Sequence, residues 1–182
     1  MKREFLTLPN ILSISRALLA IPFICVMLLP SAPMRAWGVA LLVLGIVTDR
    51  LDGELARARK EETEWGRILD PLADKIAAAT VALVLLRLAQ LPLWFVIGLL
   101  GRDLLILCGG IYVKARRGLI LPSNVYGKWT IGIIGLLFFS LMVEAPEGIS
   151  TVLLFASASG LLVSFVAYVA RFVEVIGSPR TT

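Results

Sequence analysis

Apolar residues in this chain fall into long runs separated by short charged or proline-containing breaks, not into the two-residue alternation of a half-exposed strand. The runs predict six helices: Asn10 to Leu29, Ala36 to about Arg59, Gly66 to Leu88, Pro92 to Tyr112, Tyr126 to Val143 and Ile149 to Ile176. Each is close to the ~20 residues that cross a bilayer. The breaks are a turn at Pro30 to Arg35, a polar connection from Lys60 to Trp65, a basic loop from Lys114 to Lys128 and an acidic turn from Glu144 to Gly148. The second helix changes character along its length, from wholly apolar between Ala36 and Val47 to acidic beyond. Such a helix leaves the membrane obliquely or faces a water-filled cavity. The run from Ala17 to Leu29 also has the length of a signal-peptide core. Asn10 and Arg16 interrupt the segment and no A-x-A-like site follows, so a retained span is expected.

Composition agrees with the pattern. Of 182 residues, 58% are hydrophobic, and the mean hydropathy is +0.89. That is too apolar for an ordinary soluble domain. The expectation is an all-α integral membrane protein, a single domain over residues 1–182, built as a six-transmembrane-helix bundle with a polar cavity on its cytoplasmic side. Histidine is absent, which excludes Ser-His-Asp chemistry and His-ligated zinc. Cys25 and Cys108 each lie in an apolar run and read as helix residues, not as a disulfide.

The net charge of +5 is unevenly distributed. One set of loops and ends carries Lys2, Arg3, Arg57, Arg59, Lys60, Arg67, Lys114, Arg116, Arg117, Lys128, Arg171 and Arg180, and the other carries Arg35 and Arg87. Basic loops stay on the cytoplasmic side. Both termini and the acidic stretch are therefore expected in the cytoplasm, in a multi-pass protein of the cell (inner) membrane. No basic, aromatic-interleaved face suggests a nucleic-acid partner.

The chemistry concentrates between Asp49 and Asp74, in D-R-L-D-G-E-L-A-R-A-R-K-E-E-T-E-W-G-R-I-L-D-P-L-A-D. Asp49 and Asp52 are three apart, and Asp70 and Asp74 are four apart, so on helices each pair lies along one face. Two such helices packed face to face bring four carboxylates together. Unneutralised, that cluster repels itself and is costly to desolvate. Hard divalent cations, which take oxygen ligands, are the natural remedy. Gly53, Ala56 and Gly66 leave room for a ligand near the backbone, and Arg57 could hold a phosphate. Asp70 and Asp74 fall near a helix start, where the dipole favours anions.

The stretch resembles the signature of the CDP-alcohol phosphotransferases, D-x-x-D-G-x-x-A-R-x8-G-x-x-x-D-x-x-x-D. Asp49, Asp52, Gly53, Ala56, Arg57, Gly66, Asp70 and Asp74 match every fixed position. The opening Pro9-Asn10 to Arg16 is similar to the first helix of that family. The resemblance implies transfer of a phosphatidyl group from CDP-diacylglycerol to an acceptor hydroxyl with release of CMP. It further implies Mg²⁺ or Mn²⁺, as two ions, held by Asp49, Asp52, Asp70 and Asp74, with Asp74 also the general base. The CDP moiety would be met by Asp52, Gly53, Ala56, Arg57 and Gly66. A homodimer embedded among membrane lipids is the implied assembly.

Basic residues outside the signature suggest an acceptor bearing phosphate, met by Arg102, Arg117, Lys128 and Arg171. Glycerol 3-phosphate, giving phosphatidylglycerol phosphate, is the first expectation. Phosphatidylglycerol, giving cardiolipin, is the alternative. Gly127-Lys128-Trp129-Thr130 partly resembles a G-K-x-K-T pattern of the first enzyme type, and Arg102-Asp103, followed by the apolar Leu104-Leu105-Ile106, resembles the R-D opening of the R-D-x-x-L-I of the second. A cation transporter with an intramembrane acidic site is the reading from another class, but acids confined to one window do not suit its repeated architecture.

Overall fold

A computed structural model describes residues 8–29, 31–59, 66–117 and 125–177. Six helices run through these residues: α1 (Leu8–Met27), α2 (Ala32–Arg59), α3 (Gly66–Arg87), α4 (Leu93–Arg117), α5 (Val125–Met142) and α6 (Glu147–Gly177). The chain divides into two compact units, Met1–Gln90 and Leu91–Thr182.

In the first unit α1 is the common support, because both α2 and α3 pack against it. Phe23 and Met27 of α1 are buried, as are Val81, Ala82, Val84 and Leu85 of α3. In the second unit α6 has that role, packing against both α5 and α4. Its buried stripe is small and polar: Ser157 and Ser164 are fully buried, with Leu161 between them. Small residues let helix backbones approach in a membrane, where apolar surface alone drives little association.

Helices α5 and α6 approach closely at Gly160. A Cβ there would lie 2.8 Å from Thr130 Oγ1 and 3.2 Å from its Cγ2. In sequence, Gly127, Gly132 and Gly135 suggest a close-packing glycine face on α5, and the structure realises it only in part. Gly127 is buried, but Gly132 and Gly135 have nothing within 4 Å of an added Cβ. The close contact belongs to the glycine on α6, with a threonine opposite.

Two helix boundaries differ by four residues or more from the sequence expectation. Residues 114 to 117 were expected in a loop, yet α4 continues to Arg117. Lys, Ala and Arg are strong helix formers and extend it beyond its apolar part. Residues 32 to 35, expected in a turn, are the first turn of α2. Pro33 falls there, where its missing N–H costs little.

Two helix ends are built alike. After α3, Ala89 is left-handed at φ 56, with Gln90 N–H donating to the Leu85 carbonyl and Ala89 N–H to that of Leu86. After α5, Glu144 has φ 53, with Ala145 N–H on the Ser140 carbonyl and Glu144 N–H on that of Leu141. This pairing closes the orphan carbonyls of a helix end. Pro92 and Pro146 follow, and their carbonyls accept the first N–H groups of α4 and α6.

Helices α4, α5 and α6 are long and apolar enough to cross a membrane, while α1 and α2 contain shorter apolar stretches, Ala17–Met27 and Pro33–Thr48. Large side chains point outward from the long helices: Val152 is 69% exposed, Ile97 61% and Leu104 60%. Contiguous apolar surface of this kind marks a lipid-facing wall.

The Gly160 contact makes a direct prediction. Gly160→Ala lowers thermal stability in detergent by about 1–3 kcal/mol through overpacking. Gly132→Ala and Gly135→Ala, which meet open space, leave the midpoint unchanged or raise it. Equal losses at all three positions contradict this packing.

Candidate functional site

Asp49 and Asp52 are helical residues in the second half of α2, and Asp70 and Asp74 are helical residues near the start of α3. The expected spacing along one face therefore holds for both pairs. Gly53, Ala56 and Arg57 follow on α2, and Gly66 opens α3. The side chains of Asp49, Asp52, Arg57 and Asp70 lie outside the described residues, so the expected four-carboxylate cluster does too. Among the described residues no group of metal-binding side chains is complete.

Asp74 is described, and it is exposed. By helical rotation it lies on the stripe that continues through Val81 and Leu85, the buried face of α3. Thr48, just before Asp49, turns its hydroxyl back onto its own helix, donating to the Leu44 carbonyl at 2.9 Å and that of Gly45 at 3.0 Å. The apolar part of α2 thus ends on a satisfied hydroxyl. All-carboxylate donors in two helical pairs, one pair's Asp74 open to solvent, fit hard divalent ions by donor chemistry.

The second unit holds the basic candidates. Arg102, in the apolar part of α4, is 13% exposed and pairs with Asp103 at 2.6 Å through Nη1. Its Nη2 donates to Ser164 Oγ of α6. Among the described residues its Nε is buried without a hydrogen-bond partner. A charge taken into a membrane helix needs such internal partners. Lys128 and Arg171 are exposed on α5 and α6, and Arg117 ends α4 with its side chain outside the described set. Arg116 sits over the Tyr112 ring, 5.8 Å from its centroid, a cation–π contact.

Register places these cations along the unit. The Ser140–Ser150 hydroxyl contact at 3.2 Å and the Thr130–Gly160 approach share one antiparallel register of α5 and α6. In it Lys128 comes level with Leu162, and Arg102 meets Ser164. Lys128 and Arg102 therefore lie within about 3 Å in height, and Arg171 about 10 Å further along α6. Arg117, at the far end of α4, lies roughly two turns beyond Arg171. Arg102, Lys128 and Arg171 are thus grouped in height, and Arg117 is not. The sequence reasoning missed Ser164, the partner of Arg102. The seven-residue spacing of Ser150, Ser157 and Ser164 was the available signal.

The pairing predicts that Asp103→Asn destabilises the protein by about 2–3 kcal/mol in thermal unfolding, because it leaves a semi-buried guanidinium without its counter-charge. Replacing both residues, Arg102→Met with Asp103→Leu, costs less than the sum of the single changes. Additive losses contradict the pair.

Comparison with known proteins places the chain. Relatives from Mycobacterium bovis and Mycobacterium tuberculosis, whose names point to cardiolipin synthesis, are 40% identical over 128 residues, 70% of this chain. The match spans only 60% of the length of those relatives. A cardiolipin synthase (CMP-forming) from Streptomyces coelicolor is 35% identical over 169 residues, covering 89% of this chain and 71% of the relative. A CDP-diacylglycerol–glycerol-3-phosphate 3-phosphatidyltransferase from Aquifex aeolicus is 32% identical over 180 residues, 94% of this chain and 98% of the relative. The CDP-alcohol phosphatidyltransferase family profile matches residues 6–173, across both units. Members of that family are generally dependent on a divalent metal. With the two helical acid pairs, the intervening Gly-x-x-Ala-Arg and a match over nearly its whole length, this chain belongs to the CDP-alcohol phosphatidyltransferase family.

Proposed function

We propose that this protein transfers a phosphatidyl group from CDP-diacylglycerol to the hydroxyl of glycerol 3-phosphate, forming phosphatidylglycerol phosphate and CMP. The observation that carries the reading is the unbroken set of eight signature residues on α2 and α3, within a family match over residues 6–173. The acceptor oxygen forms a new bond to the phosphorus that bears the diacylglycerol. The phosphoanhydride bond breaks, and CMP leaves. Asp74, exposed near the start of α3, takes the hydroxyl proton. Gly53, Ala56 and Gly66 leave room for the cytidine, Asp52 lies beside them, and Arg57 meets the diphosphate.

Asp49, Asp52, Asp70 and Asp74 would hold two Mg²⁺ or Mn²⁺ ions. When bound, such ions neutralise the diphosphate and stabilise charge on the attacking and departing oxygens. Arg102, Lys128 and Arg171, grouped in height in the second unit, receive the acceptor phosphate, and Arg117, roughly two turns beyond Arg171, stands apart from that group. A phosphomonoester carries nearly two charges and calls for several cations. The near end-to-end match to the Aquifex aeolicus relative supports this acceptor. The 40% identity to the mycobacterial relatives and the Arg102-Asp103 sequence favour a second reading, cardiolipin synthesis with phosphatidylglycerol as acceptor.

The two units act together as one catalytic domain over residues 1–182, with six spans, a cytoplasmic-side polar cavity and homodimeric assembly. The acids and both termini face the cytoplasm. Within the second unit the end of α4 bearing Lys114 and Arg116 is basic and has the exposed Tyr112, whereas Glu144 and Glu147 mark the opposite end. Positive charge stays inside, and aromatic side chains settle at interfaces.

Two outcomes are expected of purified protein supplied with Mg²⁺ or Mn²⁺ and CDP-diacylglycerol, reading CMP. Asp70→Asn lowers kcat by about a thousandfold or more together with Mn²⁺ affinity. Asp74→Asn lowers kcat similarly and changes CDP-diacylglycerol binding by less than about threefold. Full turnover by either variant, or in excess chelator, contradicts the assignment. On the acceptor, Lys128→Ala and Arg171→Ala raise KM for glycerol 3-phosphate by about tenfold or more, leaving KM for CDP-diacylglycerol within about twofold. CMP release with phosphatidylglycerol but not with glycerol 3-phosphate replaces the first acceptor by the second.

A further inference from the structure

Helices α4 and α6 meet along a ladder with a rung at each turn. Arg102 Nη2 donates to Ser164 Oγ. One turn on, Tyr168 Oη donates to the Ile106 carbonyl at 3.0 Å. The tyrosine fits because position 109 is glycine: a Cβ there would lie 2.6 Å from Tyr168 Oη and 3.4 Å from Phe172 Cε2. Beyond, Phe172 stacks on Tyr168 with centroids 6.3 Å apart and meets Tyr112 at 6.2 Å. Ser164, Tyr168 and Phe172 thus engage successive turns of α4 in one register.

The rungs are polar where they matter most for register. Apolar side chains tolerate sliding between helices in hydrocarbon, whereas a hydrogen bond to a single carbonyl does not. A hydroxyl aimed at Ile106 and a guanidinium aimed at Ser164 fix both the height and the rotation of α6 on α4. Arg171 follows Tyr168 within one turn of α6, and Arg102 is itself a rung. The ladder therefore sets where two of the acceptor cations stand relative to each other.

We propose that Tyr168 and Ser164 are positioning residues for the acceptor phosphate, holding Arg171 and Arg102 at the spacing that the phosphate requires. Gly109 is the notch that admits Tyr168. The proposal rests on the assignment of Arg102, Lys128 and Arg171 to the acceptor. Neither hydroxyl is assigned a contact with substrate, so their loss acts on acceptor affinity through the cations, and the donor and metal sites of the first unit are untouched.

The test is steady-state kinetics on the full chain in mixed micelles, with thermal midpoints measured in parallel. Tyr168→Phe raises KM for glycerol 3-phosphate by about three- to tenfold, the size of one lost interhelical hydrogen bond. KM for CDP-diacylglycerol and kcat stay within about twofold. Ser164→Ala acts in the same direction, and Ser164→Thr, which keeps the hydroxyl, restores most of the loss. Gly109→Ala also raises the acceptor KM, but the Gly109→Ala, Tyr168→Phe double variant is no worse than Tyr168→Phe alone, because the atom nearest the new methyl, the hydroxyl at 2.6 Å, is gone and only the ring contacts at 3.3 and 3.4 Å remain. An unchanged acceptor KM in both Tyr168→Phe and Ser164→Ala, an equal rise in both substrates' KM, or multiplying effects in the double variant overturns the proposal. If phosphatidylglycerol proves to be the acceptor, the same split is read on its KM. If Lys128→Ala and Arg171→Ala move neither acceptor's KM while Tyr168→Phe does, the cation assignment fails and the ladder stands.

Discussion

Inside hydrocarbon an unpaired polar group is costly, because no water is there to supply a partner. That constraint decides where the chemistry of this chain can lie. Arg102 enters the apolar part of α4 only with Asp103 beside it and Ser164 opposite. Buried Ser140 donates to the Leu137 carbonyl, and Thr130 to that of Tyr126. Two helix ends close on hydrogen-bonded left-handed residues although neither is glycine. The acids, for which protein partners would be hardest to find, occur at the end of α2 and the start of α3, not in their apolar parts.

The two units apply one device to opposite charges. Each has one helix on which the other two pack, α1 in the first and α6 in the second. In the first unit this arrangement carries the acid-bearing helices. In the second it carries the cations, with register set by small residues and hydroxyls at Gly160, Thr130, Ser164 and Tyr168. A phosphate-transfer enzyme working on a membrane needs both: carboxylates that gather cations around the donor diphosphate, and cations that receive an anionic acceptor. Under the proposed function the two units divide those two tasks.

Helix number and position were legible in the sequence because apolar runs near the length of a bilayer leave few alternatives. The structure shifts most ends by only a few residues. The signature was legible because eight residues at fixed spacing cannot be matched by composition alone. The extension of α4 to Arg117 was not, since polar helix formers look like loop once an apolar run has ended. Packing detail was also hidden. Gly132 and Gly135 read as a contact face, yet the contact is made by Gly160, and one sequence cannot tell a glycine required by a neighbour from one that meets open space. The Arg102–Ser164 and Tyr168–Ile106 rungs join positions 62 apart, and no local pattern predicts them.

The central claim is that α2 and α3, both supported by α1, bring their acids to one place. Dibromobimane, which fluoresces only when it bridges two nearby thiols, measures this directly. In protein carrying Cys25→Ala and Cys108→Ala, the Asp52→Cys, Asp74→Cys pair should form an intramolecular fluorescent bridge in the membrane, and neither single replacement should. A pair that labels no better than the single replacements, while both thiols react with a monofunctional reagent, shows that the carboxylates do not converge.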